Sequence, residues 1–393
     1  QTLKINFKAQ PDLVDYGVKQ YLVLGDTRIP LDPKHGIIES TVIAGAIESE
    51  FFPQISEEKL KLFFEESNLF LEKERGTVEI RFDDNEQIIF EGRPQQGFRI
   101  DYSKLVRLMN ESLVSGENNI RVPAEKIFSR VIAHPELKKQ GVREIIAVGE
   151  SNFSGSSKAR RQNILAAARK FNGIVIKKGR MFSFNEILED VDEEDGFVKE
   201  LVIKGDKTEK ELGGGVCQVS TTAFRAAFQG GLPIRDRRNH SYAVPYYKPF
   251  GLDAAIYIGA LDMRFINDTP GDILVQTIVD RNDLYFVYYG THDSRRVITE
   301  GPFISDYRKA PDTIVLETED IPAGATKVVN EAHDGFEAVW IRKVVWPDGD
   351  TEDESFVSNY RPWPARVLKG AEKNSKPDEV GFQRANVRDI LER

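Results

Sequence analysis

The sequence contains almost no cysteine and no long apolar run, and each absence excludes a class of protein. Cys217 is the only cysteine among 393 residues, so no disulfide can form within the chain. No segment approaches the roughly 18–20 consecutive apolar residues that cross a bilayer as a helix. The chain begins at Gln1 without a signal-peptide core. We therefore expect a processed, soluble form, attached to a membrane only through a segment upstream of it.

Clustered basic charge and metal-ligand spacings are also missing. The chain has 54 Lys and Arg against 63 Asp and Glu, and its largest basic cluster is Arg235, Arg237 and Arg238. A nucleic-acid partner needs a clustered basic face, so none is expected. The five histidines form no His-x-x-x-His pair and a lone cysteine forms no Cys-x-x-Cys, so neither a metal site nor any other cofactor is expected.

The composition that is present, 40% hydrophobic and 30% charged, is that of a globular protein. The length suggests two to four domains. Loops and changes of pattern predict an α+β domain at 1–140, a central domain at 141–292, a small β-rich module at 293–368, and a charged tail or surface helix at 369–393. The fold class predicted is therefore multidomain α+β.

The first 130 residues alternate helical and strand-like patterns. Helical spacing over 58–72 follows Ser56, which we predict as the N-cap. The runs 77–82 and 87–90 flank an acidic turn and predict a hairpin. A second helical stripe consists of Leu105, Leu108, Met109 and Leu113.

The central region begins with a helix predicted over 158–171, ended by Asn172-Gly173. We expect the inward face of this helix to consist of Ile164, Leu165, Ala168 and Phe171. The acidic stretch 189–195 lacks the spacing of a calcium loop and is interpreted as a solvated loop. Strands are predicted at 255–258, 263–266, 273–279 and 284–289.

The most informative stretch runs from Gly213 to Phe224 (GGGVCQVSTTAF). Three glycines allow a tight turn, and apolar residues then continue at helical spacing, so Cys217 lies at a helix N-terminus. Unpaired N–H groups and the helix dipole lower a thiol pKa there and favour the nucleophilic thiolate. A small buried packing residue is the alternative interpretation of Cys217.

A base and a carboxylate follow in the chain, His240 in Asn239-His240-Ser241 and Asp253 in Gly251-Leu252-Asp253. The order helix-borne Cys, His, Asp is that of papain-like and transglutaminase-like enzymes. We therefore predict a central domain of that layout, in which the helix packs on an antiparallel sheet containing His240, Asp253 or close neighbours. The Cys217 sulfur should lie within roughly 4 Å of a His240 nitrogen. A hydrogen-bonded loop histidine is the alternative.

Five motifs together resemble the VanW family of bacterial envelope proteins. They are Phe182-Ser183-Phe184-Asn185-Glu186, GGGVCQVSTT from Gly213, Asn239-His240-Ser241, Gly251-Leu252-Asp253-Ala254, and LDMRFINDT from Leu261 to Thr269. The resemblance runs from about residue 153 to Gly290. The segment around Gly97-Phe98-Arg99-Ile100-Asp101 resembles the peptidoglycan-binding domain that often precedes the family domain, and 333–364 resembles the β module that often follows it.

The resemblance implies an extracellular location in the bacterial cell envelope, with peptidoglycan or a cell-wall peptide as partner. It leaves the oligomeric state and the activity open. The sequence departs from the family pattern at Leu252, where arginine is common, and at Phe224-Arg225, where Tyr-Asn is common. If the arginine of relatives binds a substrate carboxylate, this chain binds its substrate differently or not at all.

Two functional hypotheses follow. In the first, an amide hydrolase or acyl transferase uses Cys217 as nucleophile, His240 as base and Asp253 to orient the imidazole. Its substrate-binding or oxyanion candidates are Gly214, Gly215, Gln218, Asn239 and Asn185. In the second, a non-catalytic wall-binding protein keeps Cys217 for structure, and Trp346 and Trp363 are candidate sugar-stacking residues. A free thiol is a liability in an oxidising exterior, which favours the first hypothesis.

Overall fold

A computed structural model describes residues 20–24, 27–31, 38–42, 51–66, 76–115, 119–204 and 207–371. The architecture is mixed α+β, with several helices among many small sheets, which confirms the predicted class at that level. The chain divides into two compact units. The first comprises Gln1–Val78 with Gly92–Arg130, and the second comprises Glu79–Glu91 with Val131–Arg393.

The helices and strands of the described part are numbered here in chain order. They are β1 (Gln20–Leu24), β2 (Thr27–Leu31), β3 (Ile38–Val42), β4 (Phe51–Ile55), α1 (Glu57–Glu66), β5 (Thr77–Phe82), β6 (Ile88–Glu91), β7 (Gln96–Ile100), α2 (Tyr102–Ser115), β8 (Asn119–Arg121), β9 (Ala124–Phe128), β10 (Arg130–Ala133), α3 (Pro135–Gln140), β11 (Glu144–Asn152), α4 (Lys158–Phe171), β12 (Val175–Ile176), β13 (Met181–Ser183), α5 (Phe184–Leu188), β14 (Lys199–Lys204), β15 (Lys207–Leu212), α6 (Val216–Gln229), β16 (Ile234–Asp236), a 3-10 turn (Pro245–Tyr247), β17 (Arg264–Ile266), β18 (Ile273–Asp280), β19 (Asp283–Gly290), β20 (Arg296–Arg308), β21 (Ile314–Thr318), β22 (Thr326–Asn330), β23 (Gly335–Val345), β24 (Thr351–Tyr360) and β25 (Arg366–Gly370).

The first unit contains small sheets and two helices. Strand β1 pairs antiparallel with β2 and parallel with β8, while β3 pairs with β4 and β7 with β9. The predicted N-cap is confirmed, because the Lys59 N–H donates to Ser56 Oγ at 3.4 Å. Residues 67–75, which include the predicted end of this helix, lie outside the described residues. The core of the unit is formed by Ile55, Leu60, Phe63, Phe64, Ile100, Leu105, Met109, Ile120 and Val122.

The predicted hairpin is present in the second unit. Strands β5 and β6 pair antiparallel from Glu79–Glu91 to Phe82–Ile88. The Asp83 side chain accepts hydrogen bonds from the N–H groups of Asn85 and Gln87 and so closes the turn. An acidic side chain that binds its own backbone two residues on is typical of such turns.

The central sheet of the second unit is antiparallel, with strand order β11-β19-β18-β12. Helix α4 packs on β18, and α6 packs on β11 and β19. The approach of α6 is very close, because a Cβ on Gly149 would lie 2.2 Å from the Thr222 carbonyl oxygen. Only glycine allows this contact between helix and sheet.

Helix α4 has the predicted bounds. Ser157 Oγ caps it by accepting from the Arg160 N–H at 3.0 Å, and Asn172 stands at its C-cap. Ile164, Ala168 and Phe171 are buried as predicted, whereas Leu165 is 37% exposed. The prediction that Leu165 faces inward is wrong, because at 3.6 residues per turn it lies beside the buried stripe instead of within it.

The segment between β16 and β17 does not join the central sheet, although it carries His240 and Asp253. Its pairing consists of isolated bridges, Arg238 with Ala255 and Tyr257 with Leu261. The strand predicted at 255–258 and the placement of the base and carboxylate in or next to the sheet are therefore wrong. The physical reason is that guanidinium groups, instead of a neighbouring strand, bind carbonyl oxygens of this segment.

The C-terminal region forms two three-stranded sheets, β20-β23-β24 and β21-β25-β22. The region 293–368, predicted as a separate module, shares an apolar interface with 141–292. Trp340 and Phe356 pack on the central core, with Phe356 5.0 Å from the Phe228 ring centroid. The buried Arg342 guanidinium donates to the Ala227 and Phe228 carbonyls near the end of α6 at 3.4 and 3.2 Å.

The structure contradicts one sugar-stacking candidate of this region, and it does not describe most of the predicted tail. Trp363 is buried and its ring centroid lies 4.8 Å from that of Tyr242, so it cannot act as an exposed sugar platform. Residues 372–393 of the predicted tail lie outside the described residues. Within the described ranges, no helix combines the length and apolarity needed to span a membrane.

Candidate active site

Cys217 is the second residue of α6. The helix begins after Gly215, whose φ of 113° and ψ of −12° lie in the left-handed region. A Cβ at this position would also lie 2.9 Å from Arg160 Cγ, so both conformation and space require glycine. The turn therefore places the half-buried thiol at the positive end of the helix, with its sulfur 3.7 Å from the Ile256 carbonyl oxygen.

His240 and Asp253 form a buried pair, 4% and 1% exposed respectively. The Nδ1–H of His240 donates to Asp253 Oδ2 at 2.6 Å, and the His240 backbone N–H donates to the same oxygen at 2.7 Å. Because Nδ1 faces the carboxylate, Nε2 is the ring nitrogen that remains for the thiol. The Tyr247 ring stacks on the imidazole with centroids 4.5 Å apart and fixes the ring plane.

The second oxygen of Asp253 is held from two directions. The Tyr360 hydroxyl donates to Oδ1 at 2.6 Å, and Arg237 Nη2 lies 3.3 Å from the same atom. The Gly251 N–H in turn donates to the Tyr360 oxygen at 2.8 Å. Burial and the neighbouring Asp253 carboxylate raise the pKa of Tyr360 above its usual range, so the phenol keeps its proton and donates it.

Cys217 and His240 line the same cavity, and each shifts the pKa of the other. Burial raises the pKa of the thiol, but the bond to His240 and the positive charge of the ring outweigh it, so the thiol pKa is lowered. Burial lowers the pKa of His240, but the bonds to Asp253 and Cys217 raise it to about 9. The two opposite shifts favour a thiolate beside an imidazolium at neutral pH.

The carboxylate stays ionised in this environment. Burial raises the pKa of Asp253, but the His240 ring and the Arg237 guanidinium outweigh burial and hold that pKa well below its usual range. An ionised Asp253 is a hydrogen-bond acceptor only, so His240 keeps a proton on Nδ1 both as imidazolium and as neutral imidazole.

Arg160 brings a second positive charge to the thiol. Its guanidinium lies 4.2 Å from the centroid of the Tyr246 ring and donates to Ser156 Oγ at 2.6 Å and to Gln218 Oε1 at 2.8 Å. Its charge also lowers the pKa of Cys217, as a smaller contribution than that of His240. The Arg160 guanidinium, which comes from α4, therefore also stabilises the thiolate.

These residues surround a cavity of about 1830 Å³. Of the predicted site residues, Cys217, His240, Gly214, Gly215 and Asn239 line it. Asp253 lies behind His240. The Asn239 side chain donates to the carbonyls of His240 and Asn359, so it ties the base to β24.

Two predicted substrate-binding residues have other contacts. Gln218 is buried and holds Arg160, while its Nε2 donates to the Asn152 carbonyl at 3.3 Å. Asn185 does not line the cavity; its Nδ2 donates to the Leu261 carbonyl at 2.9 Å. The amides of Gln218 and Asn185 bind backbone and side-chain groups of the protein. Neither side chain therefore lines the cavity.

The predicted oxyanion amides are partly used within the turn. The Val216 N–H donates to the Gly213 carbonyl and the Gln218 N–H to the Gly215 carbonyl, each at 2.9 Å. Within the described ranges, no acceptor lies in hydrogen-bond geometry with the N–H of Cys217. The amide of the nucleophile itself is therefore one donor that remains for a developing oxyanion.

Three residues of the site could not be predicted from the sequence, namely Arg160, Tyr247 and Tyr360. The first two lie inside the segment that resembles the family, but an arginine in an amphipathic helix and a tyrosine near proline carry no distinct local signal. Tyr360 is 107 residues from Asp253. The described residues contain no cluster of three or more His, Cys, Asp or Glu that could hold a metal ion.

The arrangement has the parts that nucleophilic acyl chemistry needs. It combines a thiol with lowered pKa, a histidine that can deliver a proton to a leaving group, a carboxylate that orients the histidine, and an unpaired amide near the sulfur. A cavity beside the thiol provides space for a substrate.

In comparisons with known proteins, residues 159–289 match the family model described as VanW like protein. The chain is 32% identical over 166 residues to the protein YoaR of Bacillus subtilis, a match of 41% of this chain and 52% of that protein. It is 32% identical over 111 residues to vancomycin B-type resistance protein VanW of Enterococcus faecalis, a match of 27% of this chain and 40% of that protein. The chain thus spans about half the length, or less, of these curated relatives.

Among solved structures, an IgA1 protease G5 domain matches with a TM-score of 0.14 and 20% identity over 21% of this chain and 100% of that domain.

The segment that matches the VanW family model contains Cys217, His240 and Asp253 but ends before β20, so Tyr360 lies outside it. The likeness to the VanW family is therefore established for residues 159–289 of this chain, the part that contains the three side chains of the site.

Proposed function

We propose that this chain is an extracellular cell-envelope protein whose central domain performs cysteine-dependent acyl chemistry on amide bonds of cell-wall peptides. The observation that carries the proposal is that Cys217 and His240 line the same cavity, with the buried Asp253 carboxylate hydrogen-bonded to His240 Nδ1 behind it. A helix-borne cysteine followed by histidine and aspartate supports a papain-like or transglutaminase-like mechanism. Regular strands carry neither His240 nor Asp253, so the likeness concerns the chemistry of the three side chains.

The reaction proceeds in two steps. The Cys217 thiolate attacks the amide carbonyl carbon, a C–S bond forms, and the Cys217 backbone N–H donates a hydrogen bond to the oxyanion. As the C–N bond breaks, the His240 imidazolium gives its proton to the departing amine and a thioester remains. Neutral His240 then takes a proton from an incoming water or amine, whose oxygen or nitrogen forms the new bond to the carbonyl carbon. The C–S bond breaks, the Cys217 thiolate leaves beside the imidazolium, and the product is a carboxylic acid after hydrolysis or a new amide after transfer.

The proposed location and partner rest on the family. A relative is named as a vancomycin resistance protein, and the sequence motifs resemble bacterial envelope proteins, which supports a wall-peptide substrate. The size of the cavity also suits an extended substrate better than a small metabolite, because drug-sized ligands fill cavities of about 300–1,000 Å³ and this one is about 1830 Å³.

The test is incubation of the purified chain with soluble wall-peptide fragments, followed by mass spectrometry of fragments and of intact protein. We expect cleaved or newly joined fragments and an acyl adduct on Cys217, both absent from Cys217→Ala. Equal product formation by Cys217→Ala would overturn the proposal. Binding of wall material by both proteins, without products or adduct, would instead support the non-catalytic wall-binding role.

A further inference from the structure

The charges around the cavity differ in sign from the chain as a whole. The formal net charge is −9, yet five arginines line the cavity against two glutamates. The two carboxylates, Glu200 and Glu211, come from hairpin β14–β15, and Glu200 is hydrogen-bonded to Ser157. Local positive charge in a concave site of an acidic protein favours an anionic ligand.

The arginines fall into two groups by their contacts. Arg160 and Arg237 are bound to protein groups, as described above. Arg238 and Arg361 are exposed, and no acceptor for either side chain lies among the described residues. Arg308 stands between the two groups, because protein atoms bind part of its guanidinium. Its Nη2 donates to the Tyr360 carbonyl at 3.2 Å, and its Nε lies 3.5 Å from Asp306 Oδ2.

Backbone contacts bring the end of β24 beside the segment that carries His240. The Arg361 N–H donates to the Ser241 carbonyl at 2.7 Å, and the Asn359 carbonyl accepts from Asn239 Nδ2 at 2.8 Å. The Arg238 carbonyl is fixed by the Ala255 N–H at 2.7 Å. Arg238 and Arg361 therefore line the same cavity as the thiol, on two backbone segments that hydrogen bonds anchor.

We infer that Arg238 and Arg361 form an anion subsite that binds a carboxylate of the substrate, so the substrate is an acidic peptide. The inference rests on the proposed function, because it places the carboxylate beside an amide that reacts at Cys217. Guanidinium groups bind carboxylates through paired N–H donors, and unpaired donors at a cavity wall have no competing protein acceptor to displace. Arg308 adds positive charge at the same edge.

Thiol labelling tests the subsite without knowledge of the natural substrate. Iodoacetate and iodoacetamide alkylate the same sulfur, but only iodoacetate carries a carboxylate. The measured quantity is the ratio of their rates at Cys217 in the folded full chain, divided by the same ratio for the unfolded chain. We expect a ratio well above one that falls by roughly tenfold in Arg238→Gln/Arg361→Gln, within the range of electrostatic rate effects in charged clefts.

Two variants control for net charge and for folding. Arg235→Gln removes one exposed positive charge close in sequence, on β16 and outside the cavity lining, and should leave the ratio unchanged. Arg238→Lys/Arg361→Lys keeps both charges and should retain most of the preference. An unchanged ratio in the double glutamine variant, or an equal fall in Arg235→Gln, would overturn the subsite.

A binding measurement separates the subsite from the proposed reaction. Fluorescence anisotropy is recorded for two peptides that carry the same neutral dye, Ala-Glu-Ala and Ala-Gln-Ala, which differ only in that the Gln side chain is the amide of the Glu carboxylate. The protein used is Cys217→Ala, which cannot react through the thiol. Preference for the acidic peptide, lost in the double glutamine background, supports the subsite even if the thiol proves inert. Equal affinity for the two peptides overturns it. If inorganic phosphate displaces the labelled acidic peptide as well as the unlabelled acidic peptide does, the site binds anions in general. That result would overturn its restriction to carboxylates.

Discussion

The two sides of the cavity are built in different ways. On one side, α6 presents Cys217 from regular secondary structure that packs on the central sheet. On the other side, His240 and Asp253 lie on irregular backbone whose carbonyls are bound by guanidinium groups. The helix side is positioned by apolar packing and the second side by buried polar bonds.

This difference shows where the site is sensitive to change. Apolar packing is spread over many contacts, and losing one of them leaves the others in place. A buried polar network depends on each member, because removing one leaves charged or polar partners without water or protein to bind. The imidazole side should therefore respond more strongly to single polar substitutions than the thiol side.

The largest effect should follow from Asp253→Ala. The substitution leaves Arg237, Tyr360 and His240 without their shared acceptor in the interior, and breaking a buried ion pair costs about 3–5 kcal/mol. Denaturant unfolding of the full chain measures the free energy of unfolding. Asp236→Ala, an exposed carboxylate on β16, is the control and should change it by less than about 0.5 kcal/mol. Similar losses in both variants would contradict the polar network.

The next effect concerns reactivity of the thiol. In His240→Ala the sulfur loses the partner that lowers its pKa, and an ordinary thiol with pKa near 8.5 is only about 3% ionised at pH 7. Iodoacetamide labelling of Cys217 at pH 7 should slow by up to roughly 30-fold, and the pH at half-maximal rate should rise.

Two comparisons make this labelling experiment decisive. His292→Ala changes a histidine outside the cavity and should label like the wild type. Acyl transfer by the wild type, unlike labelling, should decline as pH rises through about 9, where His240 loses the proton it gives to the leaving group. Labelling that needs denaturation in the wild type would identify Cys217 as a packing residue.

A smaller effect should follow from Tyr360→Phe, which reaches the imidazole side from the C-terminal sheet. The change removes a donor to Asp253 and the acceptor of the Gly251 N–H, both buried, at a cost of about 1–2 kcal/mol in unfolding free energy. Labelling at Cys217 should slow by less than in His240→Ala. Tyr307→Phe, an exposed tyrosine on β20, is the matched control. No difference between the two phenylalanine variants would show that Tyr360 does not support the site.

The helix side could be predicted from sequence because its signals are local. Glycines before an apolar helical period located the start of α6 to within one residue of Cys217, and α4 has the bounds that its periodicity and caps predicted. The hairpin β5–β6 followed from alternation around an acidic turn. Each of these features depends on residues a few positions apart in the chain.

The imidazole side could not be predicted in the same way. The motifs around His240 and Asp253 indicated which residues matter, but a bond from Arg225 to the Leu252 carbonyl, or from Tyr360 to Asp253, leaves no periodic trace. Such bonds join positions 27 and 107 residues apart and replace the strand that alternation at 255–258 suggested. Their partners are determined only when the chain has folded.

The bond from Tyr360 to Asp253 sets an order of events during synthesis. A ribosome completes Cys217 143 residues before Tyr360, which at about 5–20 residues per second is an interval of roughly 7–30 s. Asp253 lacks its phenol donor until Tyr360 is added 107 residues later, and the end of α6 lacks the Arg342 guanidinium until residue 342 is added. The nascent chain therefore carries its cysteine for some time before the surroundings that activate it are complete.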